Sequence, residues 1–546
     1  MKKFLAFFLA LVMVFGLCAC GGKSGNEGGS GVTEDGKVKL VIGIPSNALV
    51  LSHDDNAYTR WIEEKCGVEL SFQEFAGGTD VQTQISTTIA ARQDLPDILW
   101  GISLNTPQWW QYGKEGYFVD LTPYYEDKEG ASKVFWDRFN NELSEAEQKT
   151  VMREMTCTDT GNFYGAPSVE TSAVDKQAYQ MWINTQWLDT LGLEMPNSVD
   201  SLYTVLKAFK DGDPNGNGVA DEIPLFGSQD TDMCGLVVDW IINMFTYYNR
   251  SRPYHVEEDG TLTLAYTKPE YREALKFVNK LREEGLIPEM VWSNADMKSI
   301  TTPSSGTALC GIFAGHLTSH TITNNMLLEQ YAPLPYWGSV VRREVTCSIS
   351  TFVTDSCDNP DKAFEVLMAA WSWDGSMRSR YGEYGVNWTD ADPGAKSDMG
   401  LDATYKLISD PLKVQGTQKW AKMGPVLNIM AEGETAQIAD EMSEWAKLKS
   451  RLHAESYQNM LKAEEEFNPK KIVVGNLGYT KEENDRTSTI RTNVGDRASK
   501  AQTEFMTGIL DPDDDATWNA YLAELDQLGM DAFLEVLNDA YKRNNA

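Results

Sequence analysis

The chain has 546 residues, a formal net charge of −32 and a sequence pI near 4.6. That length exceeds one ordinary domain of about 150 residues and is ample for a large core. So acidic a balance, with no basic stripe to offset it, argues against nucleic acid as a partner. The 16 Trp and 22 Tyr residues read either as large cores or as flat faces on which a ligand can stack.

At the N-terminus Lys2 and Lys3 precede an apolar run from Phe4 to Leu17. The run is shorter than the roughly 20 residues of a spanning helix and suits the core of a signal peptide. It ends Leu17-Cys18-Ala19-Cys20-Gly21-Gly22, which resembles the lipobox of bacterial lipoproteins. Leu17, Cys18 and Ala19 fill the three positions before Cys20, so Cys20 is expected to carry the lipid and residues 1–19 to be removed. Residues 20–36 have the composition of a flexible tether. The protein is therefore expected on the extracellular face of the bacterial cell membrane, lipid-anchored. Cys66, Cys157, Cys234, Cys310, Cys347 and Cys357 are scattered and form no C-x-x-C pair, which points to neither a zinc site nor a small disulfide framework. Export permits disulfides, but their pairing stays open.

Val38 to Ile44 reads as a buried strand, Ala57 to Lys65 as a helix and Glu69 to Phe75 as a second strand. Val81 to Arg92 is helical and stops before Asp94-Leu95-Pro96-Asp97, after which Ile98 to Gly101 forms a third strand. This alternation predicts a parallel, doubly wound lobe. The D-L-P-D-I segment with its following aromatic, then G-Y-F-V-D-L-T-P-Y at Gly116 to Tyr124, resembles the N-terminal lobe of ABC-transporter extracellular solute-binding proteins. The resemblance implies that Trp100 enters a ligand cleft, where such sheets hold ligands beyond their strand ends.

Ser144-x-x-Glu147 predicts a helix start. Tyr179 to Asn184 has strand character, a helix follows to Gly192, and Ser198 to Phe209 is amphipathic. That helix runs into Asp211 to Leu225, D-G-D-P-N-G-N-G-V-A-D-E-I-P-L. Oxygen-bearing side chains recur at alternate positions with glycines between them. Ca²⁺ takes roughly six to eight oxygens, and a tightly curled loop can supply them from one segment. Two registers compete. One starts at Asp211 in the EF-hand pattern; the other uses Asp213, Asn215, Asn217, the Val219 carbonyl, Asp221 and Glu222. The run from Trp182 to Pro196 together with Leu206 to Leu225 resembles the oligosaccharide-binding branch of the same family. That branch implies the second register, with Asp211 outside a structural calcium site.

Thr267-x-Pro269-Glu270 predicts a capped helix to Glu284, closed at Gly285, and Thr307 to Phe313 a buried strand. His316 and His320 stand four apart, but no carboxylate lies beside them and their Gly and Thr neighbours suit a loop. Tyr381 to Trp388 is similar to a Y-G-x-x-G-x-x-W stretch of the family. The last third is mostly helical, opened by Thr480-x-x-Glu483 and closed by a helical pair broken at Gly529. The resemblance covers nearly all of the mature chain.

No G-x-S-x-G, H-E-x-x-H or G-x-x-x-x-G-K-[ST] occurs. With 80 acidic residues, a glycosidase pair of carboxylates is not excluded by counting. Binding is the favoured reading, with Trp100, Trp240 and Trp388 as stacking platforms. The expected fold is α/β: a hinged, two-lobed, type II-like periplasmic-binding-protein fold with a ligand cleft and a helical C-terminal region. Its lobes interleave over 37–546, an N-lobe at about 37–165 plus a later segment and a C-lobe mostly at 166–470. The expected function is a monomeric, non-enzymatic protein that captures a carbohydrate, an oligosaccharide by resemblance, for an ABC importer permease. The alternatives are a surface glycoside-active enzyme and a binder of another solute such as a peptide.

Overall fold

The computed structural model describes residues 31–77, 80–91, 95–171, 176–228, 236–292, 306–317, 325–343, 345–409, 415–421, 423–428, 434–468, 477 and 479–545. Cys20, Cys234 and His320 lie outside them. The chain divides into two compact units, the first from 1–169, 347–383 and 412–427, the second from 170–346, 384–411 and 428–546. The C-terminal helices belong to the second unit.

The first unit is built on a seven-stranded sheet in the order Gly31–Val32, Val38–Pro45, Ile98–Leu99, Thr346–Val353, Ala166–Glu170, Leu427–Asn428, with Val68–Phe75 also paired to Val38–Pro45. Val38–Pro45 runs parallel to Val68–Phe75 from Val38↔Val68 to Pro45↔Phe75, and parallel to Ile98–Leu99. The expected parallel start is therefore present. Thr346–Val353, arriving from the far side of a long excursion, runs antiparallel to Ile98–Leu99. Gly43 sits where strands and loop crowd together: a Cβ there would lie 2.5 Å from Pro96 and 2.7 Å from Phe75. Ala57–Cys66 is opened by Asn56, whose side chain accepts from Tyr58 N–H, and closed by left-handed Gly67. The predicted Ser144–Glu147 capping box opens Glu145–Met155.

Arg138, on helix Lys133–Glu142, is buried and joins the separate pieces of this unit. Its guanidinium donates to Trp371 O at 2.7 Å, Ser376 Oγ at 3.1 Å and Leu427 O at 3.1 Å, and pairs with Glu142 at 2.6 Å.

The second unit holds a four-stranded sheet ordered Tyr331–Pro333, Met181–Asn184, Cys310–Ala314, Ile223–Phe226, and a three-stranded one ordered Trp388–Asp390, Tyr405–Leu407, Ala436–Ile438. Cys310–Ala314 is parallel to Ile223–Phe226 and antiparallel to Met181–Asn184. Trp182, Phe209, Tyr271, Ile312, Phe505 and Leu537 belong to one core, so the C-terminal helices pack on the same apolar mass as the sheet. Lys481–Met506 packs against Pro269–Glu283 and Met530–Asn545 and carries the predicted Thr480–Glu483 capping box. Pro269–Glu283 departs from expectation. Lys268 is its N-cap, and the Thr267 hydroxyl donates back to Leu264 O at 2.8 Å because Thr267 ends a 3₁₀ turn. The five described cysteines are free thiols. Among the described residues no helix is long and apolar enough to cross a membrane.

Replacing Arg138 by Met should destabilise the protein by on the order of 3 kcal/mol, because Glu142 and two carbonyls lose their donor together. Chemical denaturation of the variant checks this, and Arg138→Lys should recover only part of the loss since an ammonium cannot span three directions as a guanidinium does.

Candidate functional site

Helix Val199–Asp211 starts at Ser198, which accepts from Ser201 N–H, and buries Leu202, Val205, Leu206 and Phe209. It stops at Gly212, where a Cβ would lie 2.7 Å from both Ala208 O and the Leu191 side chain. Asp213 then takes a left-handed φ of 44°, and Gly216 and Gly218 follow at 68° and 74°. These three reversals curl the chain into a tight loop that ends at the edge strand Ile223–Phe226. Buried Pro214 anchors it.

Inside the loop the polar side chains face one another. The Asp213 carboxylate accepts from Gly218 N–H at 3.1 Å, and Asn215 and Asn217 donate their amides to Asp221 Oδ1 at 3.1 and 3.0 Å. Asn215 Oδ1 accepts from Asn217 N–H and Asn217 Oδ1 from Val219 N–H. The loop brings Asp213, Asn215, Asn217 and Asp221 together. Asp211, by contrast, is the last helical residue, and its carboxylate lies 3.9 Å from Lys207.

Glu222 is the informative member. Its Oε1 is buried with no hydrogen-bond partner. Burial first, then the charges of Asp213 and Asp221, push its carboxyl pKa up. A buried acceptor beside two further carboxylates is the donor set a hard cation satisfies. Among the described residues no three His, Cys, Asp or Glu side chains converge on one point. Half of the expected donors here are amide or carbonyl oxygens, and an amide that turns over presents its oxygen in place of its nitrogen. The residues present are of the chemistry that fits Ca²⁺, and Asp213, Asn215, Asn217, the Val219 carbonyl, Asp221 and Glu222 are the ones that would hold it.

No protein-family model matches the chain. It is 23% identical over 509 residues to the fructooligosaccharide ABC transporter substrate-binding protein FusA of Streptococcus pneumoniae, covering 89% of this chain and 86% of that one. Solved FusA bound to kestose superposes with a TM-score of 0.65 at 21% identity, covering 93% of this chain and 99% of that one. This chain has the fold of an ABC-transporter solute-binding protein. Lipoprotein LipO of Bacillus subtilis is 34% identical over 176 residues, 32% of this chain and 30% of LipO. Two further solved structures share this fold. One is an EF-hand mutant of FusA, with a TM-score of 0.65, 20% identity and coverage of 93% and 99%. Another is the alginate-binding protein AlgQ2 without calcium ion, at 0.58, 19%, and 92% and 98%.

The three tryptophans expected as stacking platforms are buried in this solute-binding fold: Trp100 is 0% exposed, Trp240 3% and Trp388 1%. Trp100 packs edge-on to Trp420 at 5.2 Å and donates its indole N–H to Met423 O at 2.9 Å. Gly424 lies against the same ring, where a side chain would collide with it. A ligand can reach Trp100 only if the Met423–Gly424 segment moves aside. Trp388 is edge-on to Tyr384 at 5.0 Å, and Trp240 to Trp337 at 5.8 Å. The Trp337 indole nitrogen is buried without a partner. Neither Trp337 nor Trp420 stood out in sequence, since nothing in their local spacing sets them apart from other tryptophans.

His316 faces His453, with ring centroids 5.2 Å apart. His453 is buried beside Trp182, and burial first, then its neighbours His316 and Lys449, hold its pKa well below the usual histidine value. It stays neutral in the folded chain, so its contribution to stability is complete above about pH 6.5. Below that pH the unfolded chain takes up a proton that the folded chain refuses, and stability falls. His453→Gln should flatten the loss of melting temperature on acidification below about pH 6.5, measured against the parent in the same buffers.

Proposed function

We propose that this protein captures an oligosaccharide outside the cell and passes it to the permease of an ABC importer without altering it chemically. The match to FusA along almost the whole chain carries this reading. It is supported by the calcium-type loop between helix Val199–Asp211 and strand Ile223–Phe226, where Glu222 holds an orphaned acceptor. The protein is tethered by a lipid on Cys20, which accords with the lipoprotein name of LipO. The interleaved units act as the two lobes of the expected hinged body.

Ca²⁺ is structural in this reading. Its ligands are contiguous and exhaust the coordination that the loop offers, so they leave no open position for a substrate. A cation bound at 100 times its dissociation constant stabilises by about 2.7 kcal/mol. Asp213→Ala or Asp221→Ala should lose that increment and become insensitive to chelator in thermal melts. Asp211→Ala should behave as the parent; loss of calcium binding in Asp211→Ala alone would establish the EF-hand register instead.

Of the aromatic residues, Trp240 with its neighbour Trp337 is assigned to sugar contact, on the strength of the unpartnered indole N–H that can donate to a hydroxyl. Trp100 and Trp388 contribute only if the segments covering them move. Thermal shift against a panel of neutral oligosaccharides should reveal a stabilising ligand, and chromatography of the recovered sugar should find it intact. Trp337→Phe, which removes that N–H, should weaken the ligand about tenfold in calorimetry. Steady release of shorter products would replace capture with glycoside cleavage.

A further inference from the structure

A pocket of about 440 Å³ lies wholly within the second unit, between helix Lys481–Met506 and the segment from Tyr248 to Tyr271. Its helical wall is made by Ser488, Arg491, Thr492, Gly495, Ser499 and Gln502, which recur at helical spacing on one face. A core-facing stripe would be large and apolar. These residues are small or polar, so the helix does not fill the space up to the opposite wall. Gly495 sits at the middle of it, with nothing within 4 Å of where a Cβ would be. Tyr248, Tyr254, Tyr266 and Tyr271 line the other side, and the Tyr248 and Tyr271 rings lie 5.4 Å apart. The volume falls in the range of about 300–1,000 Å³ typical of small-molecule sites.

The charge of the lining sets it apart. None of its residues is Asp or Glu, although the protein carries a net charge of −32, and two are arginines. Arg250 is committed to buried Asp239 at 2.6 Å. Arg491 is not committed to a carboxylate. It donates to Asn484 Oδ1 at 2.5 Å and lies over the Tyr479 ring at 4.5 Å, while its Nε–H is buried with no acceptor. Three turns further on, Gln502 is only 6% exposed. It lies beside the Tyr248 and Tyr271 phenols, and its Nε2 is also buried with no hydrogen-bond partner. Buried donors lacking acceptors are uncommon and call for an occupant. Both orphans here are donors, and they cap opposite ends of a tyrosine-faced slot. Eleven residues of helix separate them by ~16 Å along the axis, and their side chains reach inward to shorten that span.

We infer that this pocket binds a disaccharide-sized acidic sugar, with a uronate carboxylate at Arg491, a ring on the tyrosine faces and a hydroxyl oxygen at Gln502. A planar carboxylate takes the guanidinium N–H groups in parallel, which a neutral hydroxyl cannot do as strongly. Sugar C–H faces stack on the tyrosine rings, and Gly495 lets the ring approach the helix closely. The site is separate from neutral oligosaccharide capture, to which none of these side chains is assigned.

Titration calorimetry on the full chain with calcium tests it, using disaccharides that end in glucuronate or galacturonate beside their neutral parents. At least one acidic sugar should bind, its neutral parent at least tenfold more weakly. Arg491→Gln should weaken the acidic sugar at least tenfold and leave the neutral parent unchanged. Gly495→Leu should abolish binding by filling the slot, with a melting temperature equal to or above the parent's because Leu favours a helix interior over Gly. The inference is overturned if no acidic sugar binds at about millimolar concentration, if acid and neutral parent bind alike, or if both variants bind as the parent does. Loss in either variant of the neutral oligosaccharide found by thermal shift would also overturn it, by making the pocket part of that other site.

Discussion

The first unit depends on one buried cation. Its three chain segments are separated by long excursions into the second unit, so nothing local in the sequence holds them together. Arg138 comes from the first segment, Trp371 and Ser376 from the second, and Leu427 from the third. Ser376 Oγ also accepts from Leu427 N–H at 3.2 Å, which closes the cluster. Burying a guanidinium is tolerable only when its donors are answered, and here the answers come from all three segments at once. The first and third segments meet a second time at Trp100 and Trp420, where an indole N–H and two apolar rings do the joining. Without any one of the three segments, a buried donor or acceptor of the Arg138 cluster is left unanswered.

The second unit uses a different device. Its helix Val199–Asp211 is held at its far end by the metal-type loop and along its side by Glu284: Tyr203 donates to that carboxylate at 2.8 Å, and Lys210 Nζ donates to the Glu284 carbonyl at 2.5 Å. Whatever fixes the loop therefore also fixes the end of Pro269–Glu283, on which Lys481–Met506 packs. A cation bound in the loop, as proposed, would therefore act well beyond its own ligands. In a strongly acidic protein a site for Ca²⁺ also neutralises a local excess of carboxylates that would otherwise repel one another.

The aromatic residues divide by what their polar ends find. Where an indole N–H reaches a backbone carbonyl, as in Trp100 and in Trp182, which donates to Gly315 O at 2.8 Å, the ring is sealed into the structure. Elsewhere a buried indole N–H finds no acceptor, both at Trp337, which is proposed for sugar contact, and at Trp371 in the core of the first unit. Burial alone does not separate structural from binding residues.

Much was legible in the sequence where the physics is local. Alternating strands and helices from Val38 to Leu99, the capping boxes at Ser144 and Thr480, and the glycine-punctuated loop from Asp213 to Glu222 each depend on residues a few positions apart. Their backbone chemistry needs no distant partner. Other features belong to the tertiary structure alone. The antiparallel insertion of Thr346–Val353, the sealing of Trp100 beneath Met423 and Gly424, the cluster at Arg138 and the pocket between Arg491 and Gln502 join residues widely separated in the chain. Thr267 failed as a cap for the same kind of reason, because the preceding 3₁₀ turn claimed its hydroxyl first. A residue's type and spacing determine which contacts it can make. Which of them it does make is decided by the segments that packing brings beside it, and no periodicity in the sequence encodes that choice.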